Sequence, residues 1–172
     1  MKILYISPRY EGGIGGHAKR VAEKLSEHGY DVQLMQIPHI PVKKLKNPSF
    51  VIFGKIKALI DNEKYDAVHA WNIPSAFIMK NIKSDKKILS VHGIYSEQVR
   101  LLHSQTTGKL AKVGEEKAFS YATKLTTDSK IVQEYYKERY RVNFIHLPAP
   151  LDTKKFENID KVEKKSNQIV YV

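Results

Sequence analysis

The segment Gly12-Gly13-Ile14-Gly15-Gly16-His17 constrains the fold of this chain more than any other feature of its sequence. It follows a short apolar stretch, Ile3–Ile6, and opens directly into an amphipathic helical pattern, Ala18–Leu25. Its glycines leave the backbone without Cβ atoms where a helix exposes unpaired N–H groups, so a phosphate or a sugar can approach the main chain closely. The segment predicts a ligand-binding loop between a strand and a helix.

Apolar runs and helical patterns alternate along the whole chain. The predicted strands are Ile3–Ser7, Val32–Ile37, Ala67–Ala70, Lys87–Val91, Lys124–Thr127 and Asn143–Leu147. The predicted helices after the first, which Gly29 should end, are Phe50–Asn62, Pro74–Lys80, a helix within Gly114–Ala122, and Lys130–Glu138 with Ser129 as its N-cap. Such short connections predict an α/β fold: a Rossmann-like open parallel sheet with helices on both faces.

The length and composition of the chain limit the classes of protein to which it can belong. With 172 residues, 42% of them hydrophobic, the chain is long enough for one well-packed domain. It contains no cysteine, which excludes disulfides, thiol catalysis and cysteine-based metal sites. The start of the chain does not read as a signal peptide, and no stretch reaches the roughly 18 apolar residues of a membrane span. We therefore expect a soluble, cytoplasmic protein.

The last residues predict a boundary between domains. Residues 1–152 form the expected Rossmann-like domain, and residues 153–172 the expected linker and first strand of a further domain. Pro148-Ala149-Pro150 is followed by a polar stretch, and Ile169-Val170-Tyr171-Val172 then reads as a new buried strand. A closing strand of this kind is typical of the start of a second domain, so we expect this chain to be the N-terminal part of a larger protein.

The formal net charge of +11 has three explanations: nucleic acid, an anionic membrane surface, or a lysine-rich surface with no specific partner. Lysines are spread over most of the chain, which favours the last. They are densest in Val42–Ile60, beside large apolar residues, as in a helix that lies on anionic lipid. A helix packed on a sheet gives the same pattern, with Phe50, Phe53, Ile56 and Ile60 inside. Both interpretations stay open at this point.

The glycine segment also satisfies the dinucleotide-binding pattern G-x-G-x-x-A over Gly13–Ala18. Two features weaken this interpretation. Five residues, Ser7–Glu11, separate the strand from the glycines, and the second strand ends at Gln36-Ile37-Pro38 without the acid that holds the ribose. An NAD(P)-binding domain of an oxidoreductase is therefore an alternative. The sequence has no P-loop motif.

Residues 3–32 resemble the opening of the retaining glycosyltransferases of family 4, the glycogen-synthase and phosphatidylinositol-mannosyltransferase type, which have the GT-B fold. Their G-G-x-G-x-H loop is matched by Gly12–His17, their R-x-A-x-x-L helix by Arg20, Ala22 and Leu25, and their G-[HY]-x-V strand by Gly29–Val32. Later matches follow in the same order: Tyr65–Ala70, Leu89–Gly93, Thr126–Ser129, Ile145–Phe156 and Ile169–Val172. Ala149-Pro150-Leu151-Asp152 departs from the family's N-G-V-D, so contacts made there in the family are not implied.

The resemblance implies an enzyme that moves a sugar from a nucleotide-sugar donor to an acceptor hydroxyl with retention at the anomeric carbon. The acceptor class is a glycan, a lipid-linked molecule or a small molecule. The resemblance further implies that the N-terminal domain of the GT-B fold binds mainly the acceptor. It implies no metal and no cofactor beyond the nucleotide-sugar co-substrate. The donor-side Arg, Lys and Glu-x7-Glu groups belong to the second domain, so we expect residues 1–172 alone to fold without catalysing transfer.

Candidate site residues follow from the resemblance and from their places at strand ends. His92 matches the active-site histidine of the family, and we expect it to hydrogen-bond the donor sugar or nearby backbone rather than to act as a general base. The expected substrate-binding residues are Gly13, Gly15, Gly16, His17, Trp71, Asn72 and Gly93. His69 reads equally well as a core residue. A solvated basic face is the favoured interpretation of Arg100, Lys109 and Lys112.

A basic nucleic-acid-binding module is the remaining alternative, and it ranks last. The aromatic residues do not interleave with the lysines in an RNA-binding motif. The expected partners are therefore a nucleotide-sugar donor and a sugar or lipid-linked acceptor, with an anionic membrane surface met through Val42–Ile60, at the inner face of the membrane. No nucleic-acid partner is expected.

Overall fold

A computed structural model describes residues 1–9, 13–42, 45–150 and 166–167. The strands are β1 (Lys2–Pro8), β2 (Asp31–Ile37), β3 (Ala67–Ala70), β4 (Lys87–Val91), β5 (Lys124–Thr127) and β6 (Ile145–His146). The helices are α1 (Gly13–Glu27), α2 (Lys46–Ile60), α3 (Ile73–Met79), α4 (Tyr95–Leu102), α5 (Gln105–Phe119) and α6 (Lys130–Tyr140). Apart from residues 166–167, the predicted linker and its closing strand lie outside the described residues.

The six strands form one sheet in the order β2-β1-β3-β4-β5-β6, and every pair is parallel. In register, Tyr5 of β1 lies between Leu34 of β2 and His69 of β3. The chain thus moves from β1 outward to β2, then crosses back to β3 on the other side of β1. This order confirms the predicted Rossmann-like α/β fold and places the reversal of strand order between β1 and β3.

Alternating residues of β1 supply the cores on the two faces of the sheet. Ile3 and Tyr5 pack with Ala18 and Ala22 of α1 in the smaller hydrophobic cluster. Leu4 and Ile6 belong to the larger cluster, which includes residues of α2, α3, α5 and α6. Within the described ranges, no helix is both long enough and apolar enough to cross a membrane.

Most predicted elements lie within two residues of the observed ones, and Gly29 ends α1 with a positive φ of 83°, as a C′ glycine does. The helix predicted within Gly114–Ala122 instead begins nine residues earlier, at Gln105, where Ser104 caps it by accepting from the Thr107 N–H. Helix α4 was not predicted. Its N-cap position holds Ile94, whose side chain makes no capping bond, so the usual start signal is missing.

Helix α2 corrects one interpretation of its sequence. It begins four residues before the predicted start at Phe50 and ends at Ile60. Phe50 is buried, but Phe53, Ile56 and Ile60 are exposed, so the set expected inside a sheet-packed helix is wrong for three of its four members. Apart from Phe50, the buried residues of α2 are the small Ser49, Gly54 and Ala58, and Gly54 lies directly against Ile78 of α3.

Candidate functional site

A cavity of about 590 Å³ opens at the carboxyl edge of the sheet. Pro8 is the last residue of β1, Gly13 and Ile14 begin α1, and His92 and Gly93 follow β4; all five line this cavity. In open parallel α/β sheets, ligands bind outside the carboxyl ends of the strands where the strand order reverses. The cavity occupies that location, and four of the eight predicted site residues (Gly13, Asn72, His92 and Gly93) line it.

The glycine segment forms the start of α1. Gly13 has a positive φ of 55°, a conformation in which a side chain would be strained, and it is the first residue of the helix. The first four N–H groups of a helix have no partner within it, and they carry the positive end of the helix dipole. Gly13 and Ile14, at this end of the helix, line the cavity, whereas Gly15 and Gly16 are buried and do not line it. Gly12 lies outside the described residues.

His92 is held by a carboxylate. Its Nδ1 lies 2.8 Å from Oδ2 of Asp128, which follows the neighbouring strand β5. A carboxylate only accepts, so Nδ1 carries the proton and Nε2 of the neutral ring is the acceptor. That Nε2 is buried and has no hydrogen-bond partner among the described residues. The Asp128 contact therefore fixes the ring and leaves Nε2 as an oriented hydrogen-bonding atom without a partner among the described residues.

Two aromatic rings pack against His92 without lining the cavity. Trp71 stacks on it with an interplanar angle of 6° and a centroid distance of 5.8 Å. His17 lies 5.1 Å from Trp71 and 5.8 Å from His92, centroid to centroid. Burial, with the nearby His92, lowers the pKa of His17. The structure thus brings these predicted site residues together around His92, as packing contacts rather than as cavity wall.

His69 belongs to the core of the sheet. Its Nε2 lies 2.6 Å from Oγ of Ser90, and that hydroxyl lies 2.6 Å from Oγ1 of Thr126, so one chain of hydrogen bonds crosses β3, β4 and β5. Burial, with the nearby His92 and His17, lowers the pKa of His69 to about 3. This histidine is neutral and structural, which agrees with the core interpretation of the sequence.

The remaining predicted residues also have local structural contacts. Oδ1 of Asn72 accepts from the Ser75 N–H at 2.8 Å and caps α3, so its carbonyl is occupied. Arg100 is paired with Glu97, with 2.7 Å between Nη2 and Oε2, and Lys112 lies over the Tyr140 ring. The basic residues after His92 therefore fit the solvated-face interpretation.

Asp128 is the functional candidate that the sequence reasoning missed. It appeared only within the matched stretch Thr126–Ser129 and was given no role. Its position in the sequence is the one feature that could have identified it, because the carboxyl ends of adjacent parallel strands lie side by side. A carboxylate directly after β5 therefore lies beside the histidine directly after β4.

One group within the described ranges offers ligand types that suit a divalent cation. His17, His92 and Asp128 each have a ligand atom within 4.8 Å of the others. Oδ2 of Asp128 also accepts from Nδ1 of His92 at 2.8 Å, and this hydrogen bond by itself accounts for the position of the carboxylate. The expectation that the reaction needs no metal stays a prediction.

Comparison with known proteins leaves the family open. No protein-family model matches this chain, and no curated protein matches it either.

Proposed function

We propose that this chain is the acceptor-side domain of a retaining glycosyltransferase with a GT-B fold. The observation that carries the proposal is the His92–Asp128 pair at a cavity on the carboxyl edge of the sheet, beside the reversal of strand order. The matched motifs point to the same place, since Gly13 and His92 come from two separate matches and line one cavity.

We assign His92 to the recognition of a sugar rather than to proton transfer, as the resemblance implies. Nε2 of His92 accepts a hydrogen bond from a sugar hydroxyl, and Asp128 prevents the ring from turning away. The N–H groups at Gly13 and Ile14 supply positive potential for a phosphate or a hydroxyl oxygen. In the reaction, the anomeric carbon forms a bond to the acceptor oxygen as its bond to the nucleotide phosphate breaks, and the departing phosphate oxygen takes up the proton of the acceptor hydroxyl. The cavity groups position the two partners.

The strand order speaks against the dinucleotide alternative. Dinucleotide-binding domains have the order 3-2-1-4-5-6, whereas here β2 is an edge strand and β1 lies between β2 and β3. The end of β2 also carries Gln36 and Ile37, with no acid for a ribose. The cytoplasmic location and the inner-membrane contact stay predictions.

The test uses the longest reading frame that contains residues 1–172, assayed for release of nucleotide diphosphate from a panel of nucleotide sugars. His92→Ala should lower kcat/KM by about 10²- to 10³-fold, because one oriented hydrogen bond to a reacting group is lost. His28→Ala is the matched control. Its exposed ring hydrogen-bonds the Lys24 carbonyl at 2.8 Å and does not line the cavity, so this variant should keep the wild-type rate. Equal rates for both variants would contradict the proposal.

A further inference from the structure

Two buried histidine nitrogens near the cavity have no hydrogen-bond partner among the described residues. They are Nε2 of His17 on α1 and Nε2 of His92, directly after β4. A buried polar atom without a partner is rare in a folded protein and calls for an explanation. The proposed sugar contact accounts for His92 but not for His17, which does not line the cavity. A ligand shared by the two imidazoles accounts for both atoms.

The two imidazoles lie close enough to share one metal ion. Their ring centroids are 5.8 Å apart, and a ring nitrogen of each lies within 4.8 Å of one on the other. Zn²⁺ holds imidazole nitrogens at roughly 2.0–2.1 Å, which places two ligands of a tetrahedral site roughly 3.4 Å apart. A small rotation of either ring brings the pair to that separation.

Asp128 supports His92 in the way that a carboxylate supports a metal ligand. Its Oδ2 accepts from Nδ1 of His92 at 2.8 Å, so the lone pair of the neutral ring is on Nε2. Metal-binding histidines almost always donate their second N–H to a carboxylate, a carbonyl or water, which fixes the ring and makes the ligating nitrogen more basic. In the folded chain, His92 thus has the support that a ligating histidine needs.

The indole of Trp71 packs against both histidine rings. It is buried, lies 5.1 Å from the His17 ring, and stacks on the His92 ring at 5.8 Å with an interplanar angle of 6°. Ligands that packing holds in place lose little conformational freedom on binding, which favours the bound state. The same contacts make Trp71, the single tryptophan of the sequence, a local reporter of binding.

The donor atoms define the class of ion. Imidazole nitrogens suit Zn²⁺, Co²⁺, Ni²⁺ and Cu²⁺, whereas Mg²⁺ and Ca²⁺ prefer oxygen ligands. We propose that His17 and His92 bind one divalent transition-metal ion such as Zn²⁺ through Nε2, with Asp128 as the positioning residue of His92. The bound ion occupies the nitrogen that the proposed function gives to a sugar hydroxyl. If that function holds, on which this consequence alone rests, the ion inhibits transfer and is not a cofactor.

The first experiment titrates Co²⁺, a paramagnetic substitute for Zn²⁺, into the tag-free chain and follows the fluorescence of Trp71. Quenching should saturate at one ion per chain and be reversed by Zn²⁺ or by a chelator, and Mg²⁺ should not quench. His17→Gln and His92→Gln should each weaken Co²⁺ binding tenfold or more, because one of two nitrogen ligands is lost. Asp128→Asn should weaken it about 10- to 100-fold, because the carboxylate no longer supports His92.

His28→Gln is the matched control, since its exposed ring bonds the Lys24 carbonyl and lies outside the pair. This variant should bind Co²⁺ as the wild type does. Thermal unfolding verifies that every variant is folded and gives a second readout. Zn²⁺ should raise the Tm of the wild type and of His28→Gln, because it binds the folded pair, and leave that of His17→Gln unchanged.

Three outcomes would overturn the inference: no saturable quenching by Co²⁺, equal quenching by Mg²⁺, or unaltered Co²⁺ affinity in His17→Gln. Sugar is absent from this assay, so its failure is separate from a failure of the proposed function. Ion binding in a protein that transfers no sugar would contradict the proposed function alone. Sugar transfer by the longest reading frame that Zn²⁺ leaves unchanged, while Co²⁺ binds to His17 and His92, would contradict the inhibitory role alone.

Discussion

The His92 cavity shares a wall with an apolar groove of about 1030 Å³ between α2, α3, α4 and α5, but the two hold their side chains in different ways. In the cavity, His92 is hydrogen-bonded to Asp128, and the side chain of Asn72 accepts a hydrogen bond from the Ser75 N–H at the start of α3. In the groove, Ile52 and Leu110 project into solvent, 56% and 69% exposed. Polar recognition requires fixed geometry, because a hydrogen bond weakens steeply when misaligned. Apolar binding depends on the area removed from water and tolerates mobile side chains.

The contrast extends to what lies under each surface. Beneath the cavity, hydrogen bonds of His69, Ser90 and Thr126 link three strands. Beneath the groove, buried Glu115 of α5 links α4 to α6. Both surfaces are therefore supported by buried polar contacts. They differ in their surface side chains, which are hydrogen-bonded in the cavity and exposed and apolar in the groove.

The largest effect should come from removing the support under the groove. Glu115 accepts from Oγ of Ser96 at 2.8 Å, from Oη of Tyr140 at 3.2 Å, and from Oη of Tyr136. Glu115→Ala removes the buried carboxylate that accepts from all three hydroxyls and should lower the free energy of unfolding by about 3 kcal/mol, measured by urea denaturation. Glu116→Ala, the exposed neighbour, should change it by less than about 0.5 kcal/mol. Similar changes in the free energy of unfolding for the two variants would contradict the structural role given to Glu115.

The second prediction concerns the pH dependence of stability that buried His69, beneath the cavity, should cause. The pKa of His69 is lowered to about 3 in the folded protein, against 6.5 for an exposed histidine, so the unfolded chain binds the extra proton between these values. This contribution to stability is present above pH 6.5 and lost as the pH falls. It should amount to about 2 kcal/mol between pH 7 and pH 5.

The corresponding experiment compares urea unfolding of the wild type and His69→Gln across this range of pH. The variant should lose less stability than the wild type as the pH falls, whatever its stability at pH 7. Parallel profiles would show that His69 is not the buried neutral group described here.

The smallest effects distinguish the two walls of the groove. A Cβ at Gly54 of α2 would lie 2.1 Å from Cδ1 of the fully buried Ile78, so Gly54→Ala should destabilise the fold by about 1–2 kcal/mol. At Gly114 of α5 the nearest atom to such a Cβ is Cζ of Phe77, at 3.9 Å. Gly114→Ala should therefore stabilise by about 0.5–1 kcal/mol, through helix propensity. Thermal unfolding measures both, and effects of the same sign would contradict the packing described for α2.

The sheet could be predicted almost residue by residue because its strands are short apolar runs bounded by turn signals. Ala67–Ala70, Lys87–Val91 and Lys124–Thr127 were predicted with their observed ends. The site was partly predictable for the same reason. A strand's carboxyl end places its next residue at the ligand-binding edge, and this located His92.

The helices around the groove could not be predicted as well, because local pattern did not decide their packing. Helix α2 has apolar residues on both sides, and the close contact between Gly54 and Ile78 determined which side is buried. Helix α4 lacks a capping side chain at Ile94 and is positioned by Ser96 on Glu115, a contact between residues 19 apart. The packing of Trp71 on His92 likewise depends on the alignment of β3 with β4 rather than on either segment alone.

The central claim is that the His92 cavity, rather than the groove beside it, receives the sugar. Photo-crosslinking with a nucleotide sugar that carries a diazirine on its sugar tests this most directly, in the longest reading frame that contains residues 1–172. We predict adducts at cavity residues such as His92 and Gln98. Adducts mainly at groove residues such as Ile52 and Leu110, or on α6, would contradict the claim.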